Sequence, residues 1–331
     1  MKKKHIYIYS PSGAVRDKAA FKRGIRRLQA LGHEVEVDPD ALASHQRFAG
    51  DDATRLAAIH RATASGADVA LISRGGYGLT RILPGIHYKK VAKAIDKGMS
   101  FVGISDFTAF QNAVLAQTGA VTWAGPALCE GFGVGGKPDE VAGASLVPDD
   151  IMEACFDDLL QGQGEGTGWR QPLDRRSTAI KSVDNSALPE RVEVSFAIHD
   201  AVLWGGNLTV LTSLLGTPYF PQVKGGILFL EDVAEHPYRI ERMLTQLLHA
   251  GVLARQKAVL MGQFTDFKLV SHDRGFKLQT VIDWVRPRIK APVLTNLPYG
   301  HVQTKVLLPV GAKVDLAVEG RDAMLVWGHV S

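Results

Sequence analysis

Apolar and polar positions alternate with two different periods over the first 125 residues. Strands are predicted by short apolar runs at 5–9, 34–37, 67–72 and 101–104. Between these runs, apolar residues recur at helical spacing in 21–31 and 56–62. Regular alternation of strand and helix predicts an N-terminal α/β domain, layered on a mostly parallel sheet, over residues 1–130.

The pattern changes twice after this domain. Residues 131–190 are rich in glycine and weakly periodic, so they are interpreted as a linker or flap containing one helix at 151–160. Residues 191–331 predict a strand-rich α+β domain. Its predicted strands are 192–198, 226–230, 258–261, 306–308, 312–318 and 323–327, and its predicted helices are 208–215, 237–250 and 278–285.

Composition narrows the class of protein. A chain of 331 residues can form two domains, and its 46% hydrophobic and 22% charged content is typical of globular proteins. Its apolar runs are too short to span a bilayer, and the start lacks a signal-peptide pattern, so we expect a cytoplasmic protein. Cys129 and Cys155 are too few for a disulfide framework. The net charge of +4 includes the Lys2–Lys4 run, and no basic stripe predicts nucleic-acid binding.

A serine lies at a predicted strand-to-helix turn in the sequence Gly-Ile-Ser-Asp-Phe, residues 103–107. An apolar run precedes it, and Phe107, Phe110 and Val114 follow at helical spacing. This order predicts a nucleophile elbow, in which the hydroxyl of Ser105 projects beside free helix N–H groups. The second glycine usual in such elbows is replaced by Phe107. The alternative is that Ser105 only caps the helix.

A serine nucleophile needs a base, and His301 is the preferred candidate. It lies in an irregular loop, 296–301, just before the strand predicted at 306–308, and such loops commonly carry catalytic groups. His199 is a rival because it ends the strand predicted at 192–198, next to Asp200. The alternative for His301 is a histidine of a surface loop without a catalytic role.

The orienting acid is expected at the end of the apolar run 227–230. Glu231 and Asp232 follow it and point to opposite faces of the strand. Asp232 and Glu235 resemble a capping box for the next helix, which would give Asp232 a structural role. A buried carboxylate needs a partner, and an imidazole N–H suits Glu231. Glu231 is therefore preferred over Asp232.

A glycine-rich loop, Arg-Gly-Gly-Tyr-Gly at 74–78, follows the strand predicted at 67–72. Its glycines allow backbone N–H groups to approach a reacting oxygen, and the N–H of Asp106 would be a second such donor. A phosphate-binding loop is disfavoured because the Gly-Lys-Ser/Thr ending is absent and Arg81 breaks the G-x-G-x-x-G pattern. No zinc-type spacing is present, so we expect no metal and no cofactor.

The ordered motifs resemble the murein LD-carboxypeptidase family of serine peptidases, which includes the microcin C immunity peptidases. The resemblance covers nearly the whole chain and is carried by residues 10–13, 74–78, 103–106, 204–208, 216–218, 230–232, 235–239, 300–301 and 308–311. It implies a catalytic triad of Ser105, Glu231 and His301, completed between the two domains. It also implies oxyanion donors at the amides of Gly76 and Asp106, and a homodimer. The segment Trp-Ala-Gly-Pro at 123–126 departs from the family, in which many relatives have a polar residue or histidine before Gly-Pro.

The resemblance implies a murein tetrapeptide as the substrate, which loses its terminal D-alanine in cell-wall recycling. An exopeptidase also needs a cation for the free carboxylate. Arg74 is preferred, Arg239 and Lys305 are alternatives, and Asn207 is a further substrate-binding candidate from its family motif. Two other functions stay open: an immunity peptidase that stacks a nucleobase on Trp169, and a non-catalytic peptide-binding protein.

Overall fold

The computed structural model describes residues 3–135, 147–172 and 195–330. Within these ranges the chain forms thirteen strands: β1 (His5–Tyr9), β2 (Glu34–Val37), β3 (Val69–Ile72), β4 (Ser100–Gly103), β5 (Thr122–Ala124), β6 (Gly166–Arg170), β7 (Ser195–Asn207), β8 (Ile227–Val233), β9 (Ala258–Thr265), β10 (Val293–Leu294), β11 (Leu308–Val310), β12 (Lys313–Glu319) and β13 (Asp322–Val326).

The same ranges contain nine α-helices: α1 (Lys18–Ala30), α2 (Asp52–Ala64), α3 (Leu79–Ile82), α4 (Tyr88–Ile95), α5 (Thr108–Thr118), α6 (Asp150–Gln161), α7 (Leu208–Ser213), α8 (Pro237–His249) and α9 (Leu278–Val285). Short 3-10 turns lie between several of them, and residues Leu128–Phe132 form a single π-helical turn. None of the helices in the described ranges is long and apolar enough to cross a membrane.

The first sheet has the order β11–β5–β4–β3–β1–β2. Its neighbours are parallel except β11, which runs antiparallel to β5. Every residue of β3 is buried, as expected of a parallel strand covered on two faces. Phe21 and Leu28 of α1 pack on one face, and Ile59 of α2 and Phe110 of α5 belong to the cluster on the other.

The second sheet has the order β10–β9–β8–β7–β12–β13–β6. The β10–β9–β8–β7 half is parallel, and the β7–β12–β13–β6 half is antiparallel. Strand β12 alternates between exposed and buried residues, because one face of the antiparallel half meets solvent. These two sheets confirm the predicted fold class of a layered α/β part followed by a strand-rich α+β part.

Three elements, α6, β6 and β11, pack against sheets that the periodicity of the sequence did not predict. Helix α6, predicted inside the linker, buries Met152, Phe156 and Leu160 in the core of the first sheet. Strand β6, also from that segment, pairs with β13 as the edge of the second sheet. Strand β11, assigned from sequence to the second domain, pairs with β5 instead. Residues 136–146 and 173–190 of the predicted linker lie outside the described residues.

Helix α5 connects the two halves next to the serine turn. The amide of Asn112 donates a hydrogen bond to the carbonyl oxygen of Gly205 at 2.8 Å, and the backbone N–H of Asn207 donates to Thr108 Oγ1 at 2.9 Å. A Cβ on Gly206 would lie 2.5 Å from Thr108 Oγ1, so the close approach requires glycine. The end of β7 is therefore held against the start of α5, beside Ser105.

Candidate active site

Ser105 occupies the turn between β4 and α5 with a backbone φ of +67°. A positive φ is unfavourable for a residue with a Cβ, and it persists only where the surroundings impose it. The backbone before Ser105 is tightly packed. At Gly103, two residues earlier, a Cβ would lie 2.6 Å from the side chain of Phe107 and 2.7 Å from that of Ile72. The N-cap of α5 is Phe107 and has no side-chain hydrogen bond, so Ser105 does not cap this helix.

His301 and Glu231 form a hydrogen-bonded pair. Nδ1 of His301 lies 2.8 Å from Oε2 of Glu231. Glu231 is fully buried at the end of β8, and 23% of the His301 side chain is exposed. An ionised carboxylate only accepts hydrogen bonds, so the pair places the imidazole proton on Nδ1 and leaves Nε2 as the acceptor.

Opposing effects set the pKa of His301. Burial lowers the pKa, but the hydrogen bond and charge of Glu231, with the charge of Glu130, outweigh it and raise the pKa above its ordinary value. The two carboxylates thus stabilise the protonated form of His301. A general base needs this property, because it carries the abstracted proton until it passes that proton on.

A cleft of about 470 Å³ brings several of the predicted site residues together. It is lined by Arg74, Gly75, Gly76, Ile104, Ser105, Glu130, Val233, His301, Val302, Gln303 and Lys305. The lining therefore combines the serine turn and the glycine-rich loop of the first half with the His301 loop of the second. In the described part of the chain, no group of three His, Cys, Asp or Glu side chains is arranged to hold a metal ion.

The glycine-rich loop packs directly against the serine. A Cβ on Gly75 would lie 2.6 Å from Ser105 Cβ and 2.9 Å from Ser105 Oγ. Gly76 has a φ of +123°, which side chains rarely tolerate. The carbonyl oxygen of Gly75 accepts from the N–H of Gly13 at 3.2 Å and so fastens the loop. Backbone groups can approach a reacting atom at Ser105 only because these positions lack side chains.

Sequence comparison supports what the geometry indicates. Residues 6–125 match the LD-carboxypeptidase N-terminal domain, and residues 200–316 match the LD-carboxypeptidase C-terminal domain. A probable murein peptide carboxypeptidase of Bacillus subtilis is 30% identical over 91% of this chain and 85% of its own length. The chain belongs to the LD-carboxypeptidase family. It is accordingly a peptidase of a serine carboxypeptidase family.

Two further relatives of this chain have names that indicate different functions. The crystal structure of muramoyltetrapeptide carboxypeptidase from Oxalobacter formigenes is 36% identical, covers 98% of each chain and has a TM-score of 0.78. The Microcin C7 self-immunity protein MccF of Escherichia coli is 26% identical over 78% of this chain and 73% of its own length. The homodimer implied by the resemblance stays a prediction.

The side chain of Asp106 has a structural task in this peptidase that sequence reasoning missed. One of its oxygens, Oδ2, accepts hydrogen bonds from Ser12 Oγ at 2.5 Å and from the N–H of Leu79 at 3.0 Å. Burial raises the pKa of Asp106, and these two bonds oppose the rise. The carboxylate thus ties the loop at Ser12 and the end of the glycine-rich loop to the serine turn.

Replacing Asp106 by leucine should destabilise the protein, because two buried donors lose their acceptor. Each loss costs about 1–3 kcal/mol, so the free energy of unfolding should fall by roughly 2–6 kcal/mol. Asp106→Asn is the matched control, since one amide oxygen can accept from Ser12 and Leu79. Urea unfolding measures the difference. Equal losses for the two variants would show that the shared oxygen is not what joins the loops.

Asp232 does not form the capping box predicted for α8. Helix α8 is capped by His236, whose side chain accepts from the N–H of Tyr238. The carboxylate of Asp232 instead accepts from the N–H and the hydroxyl of Thr209, at 2.9 and 2.8 Å, and from the amide of Asn207 at 3.0 Å. It stabilises the start of α7, a spatial neighbour far away in sequence.

Asn207 lies behind the acid rather than in the cleft lining. Its Nδ2 donates to Glu231 Oε1 at 3.2 Å, and its Oδ1 accepts from the N–H of Val210 at 3.1 Å as the N-cap of α7. The residue is 4% exposed. Its contacts hold Glu231 in the orientation that faces His301.

Three alternatives from sequence lie away from the cleft. His199 is exposed and pairs with Asp315 at 3.1 Å, because β7 continues past it and does not end there. Trp169 lies in β6, is 9% exposed and donates through Nε1 to the carbonyl oxygen of Thr295 at 3.0 Å. It offers no open platform to a nucleobase. Arg239 is half-exposed and pairs with Glu235 at 3.5 Å.

The charged side chains in the cleft differ in their partners and in their exposure. Arg74 donates from Nη1 to the carbonyl oxygen of Ala14 at 3.3 Å, and its Nε lies 3.8 Å from Glu130 Oε1. Glu130 was not predicted from sequence and lies on the π-helical turn, a feature frequent at functional sites. Lys305 is 4% exposed, although its loop appears polar in sequence.

Proposed function

We propose that this peptidase cleaves the bond between an L-centre and the terminal D-residue of a murein peptide, releasing D-alanine. The observation that carries the proposal is the hydrogen bond between the buried Glu231 and His301, a histidine that lines the same cleft as the strained serine Ser105. The names of the carboxypeptidase relatives from Bacillus subtilis and Oxalobacter formigenes support the choice of murein peptide.

In the acylation step, Nε2 of His301 takes the proton of Ser105 as Oγ attacks the scissile carbonyl carbon. Glu231 keeps the imidazole in the Nδ1–H tautomer and stabilises its positive charge. In this proposal the oxyanion formed on the carbonyl oxygen accepts hydrogen bonds from the backbone N–H groups of Gly76 and Asp106. When the C–N bond breaks, His301 returns its proton to the leaving amine.

Deacylation reverses these roles with water as the nucleophile. His301 takes a proton from the water as its oxygen attacks the ester carbonyl of Ser105. The ester C–O bond then breaks, and the proton passes from His301 to Ser105 Oγ. The enzyme returns to its starting state, and the peptide gains the carboxylate left by hydrolysis.

We expect kcat/KM to fall about tenfold per pH unit on the acid side of the pH profile, because protonated His301 cannot act as a base. The midpoint should lie above about 6.5, the ordinary value, since Glu231 raises the pKa of His301 more than burial lowers it. Initial rates of D-alanine release from pH 5 to 9 measure this. A rate that is flat down to pH 5 would argue against a histidine base.

A substrate comparison tests the proposed function itself. Purified protein is given a murein tetrapeptide or an aminoacyl sulfamoyl nucleotide, and free amino acid is quantified. We expect D-alanine release from the tetrapeptide with a much higher kcat/KM. The buried position of Trp169 disfavours the nucleotide. A preference for the nucleotide would instead assign an immunity role like that in the name of the Escherichia coli relative.

A further inference from the structure

Lys305 is a buried side chain that lines the cleft, and its ammonium group has no partner in the described residues. It is 4% exposed, and neither a hydrogen bond nor an ion pair reaches its Nζ from the described ranges 3–135, 147–172 and 195–330. Burial lowers the pKa of Lys305, against the opposing charges of Glu130 and Glu231. Desolvating a charge without a partner is costly, so a structural role does not account for this lysine.

The position of Lys305 connects it with the reacting groups. It lies four residues after His301 on the same loop and lines the same cleft as Ser105. Thr304, its neighbour, donates a hydrogen bond to Asp149 Oδ2 at 2.5 Å, which fastens this loop to the N-cap of α6. The ammonium is therefore held by an anchored segment and not by a free surface loop.

Arg74, the cation preferred from sequence, is already engaged. Glu130 lies beside its guanidinium, and the carbonyl oxygen of Ala14 accepts one of its N–H groups. An incoming carboxylate would compete with Glu130 for Arg74, whereas Lys305 has no such competitor within hydrogen-bonding distance among the described residues. Charge-assisted hydrogen bonds are strongest where the ion is desolvated beforehand.

The chemistry of the leaving group locates its carboxylate. His301 must reach the leaving nitrogen to protonate it, and the carboxyl carbon of a terminal residue lies about 2.5 Å from that nitrogen. The free carboxylate is thus presented on the His301 side of the cleft. Resting on the proposed function, we infer that Lys305 binds the terminal carboxylate of the substrate and makes the enzyme an exopeptidase.

The test compares a peptide ending in a free D-alanine carboxylate with the same peptide ending in D-alaninamide. The wild type should prefer the free acid, measured as a ratio of kcat/KM values. In Lys305→Met, which keeps an unbranched side chain one atom shorter, that ratio should fall about 10- to 100-fold, the range expected for one charge-assisted hydrogen bond. Arg74→Met should keep the ratio, and Lys97→Met, which removes an exposed ammonium outside the cleft lining, is the matched control.

Thermal unfolding excludes a folding defect as the cause. Because Met replaces a buried and unpaired charge, the Tm of Lys305→Met should be no lower than that of the wild type. An unchanged ratio in Lys305→Met, or a collapse of the ratio in Arg74→Met alone, would overturn the assignment while leaving the hydrolysis intact. A wild type that hydrolyses neither peptide would instead reject the proposed function, and the inference with it.

Discussion

Replacing Ser105 by alanine should lower kcat by a factor on the order of 10⁶, equal to about 8 kcal/mol of transition-state stabilisation. The substitution removes the attacking oxygen. The hydrogen bond between His301 and Glu231 remains, but no hydroxyl group is left for His301 to deprotonate. The fold should persist, because the described residues provide no hydrogen bond to the Ser105 hydroxyl that alanine would remove. Release of D-alanine from a murein tetrapeptide measures the effect.

Ser213→Ala is the matched control for this substitution. Ser213 ends α7 on the exposed surface, and its hydroxyl only donates to the carbonyl oxygen of Val210 at 2.6 Å. Its loss should leave kcat within about twofold, in line with the small effects of most surface substitutions. Near-normal turnover by Ser105→Ala would reject Ser105 as the nucleophile.

Replacing Glu231 by glutamine should lower kcat by a factor on the order of 10⁴. The amide of glutamine can donate to Nδ1 of His301, so the ring would carry its proton on Nε2 and lose its function as a base. The pH profile should change as well. Without the charge of Glu231, the pKa of His301 should fall, and the acid limb should move to lower pH.

Asp232→Asn distinguishes the two adjacent carboxylates. The bonds of Asp232 go to Thr209 and Asn207 at the start of α7, and not to the imidazole. Its substitution should lower the free energy of unfolding and leave the acid limb of the pH profile in place. If Asp232→Asn moved that limb and Glu231→Gln did not, the roles of the two acids would have to be exchanged.

The parts of the fold predicted from sequence are those with strong local signals. The apolar run at 67–72 predicts a buried parallel strand, and β3 is buried at every residue. The signal for the turn at Ser105 is also local, because an apolar run, a glycine and a helical repeat all lie within residues 101–114. Element type follows from such patterns, since periodicity reflects which face of an element is buried.

The missed features depend on neighbours that are distant in sequence. Asp232 accepts hydrogen bonds from Thr209 at the start of α7, 23 residues earlier in the chain, so the predicted capping box with the next helix was wrong. The glycine-rich sequence around Trp169 predicts a linker or flap, but β6 pairs with β13 and Trp169 is 9% exposed. Strand β11 was predicted in the second domain, but it pairs with β5 of the first sheet. Periodicity carries no information about which distant strand supplies a partner.

The charged lining of the cleft was the least predictable part of the candidate site. Glu130 lines the cleft from a π-helical turn, and no local sequence pattern marks such a turn. Lys305 lies in a loop of ordinary polar sequence, where a lysine is usually solvated. In the structure, however, Lys305 is 4% exposed.

The central claim is that Ser105 is the nucleophile of a site completed by the second half of the chain. The most direct measurement is labelling with a fluorophosphonate, followed by peptide mapping and by assay of D-alanine release from a murein tetrapeptide. We predict one adduct per chain on Ser105, with activity lost in proportion, and slow labelling in Glu231→Gln. Complete labelling of Ser105 with undiminished release, or inactivation with the adduct on another residue, would contradict the claim.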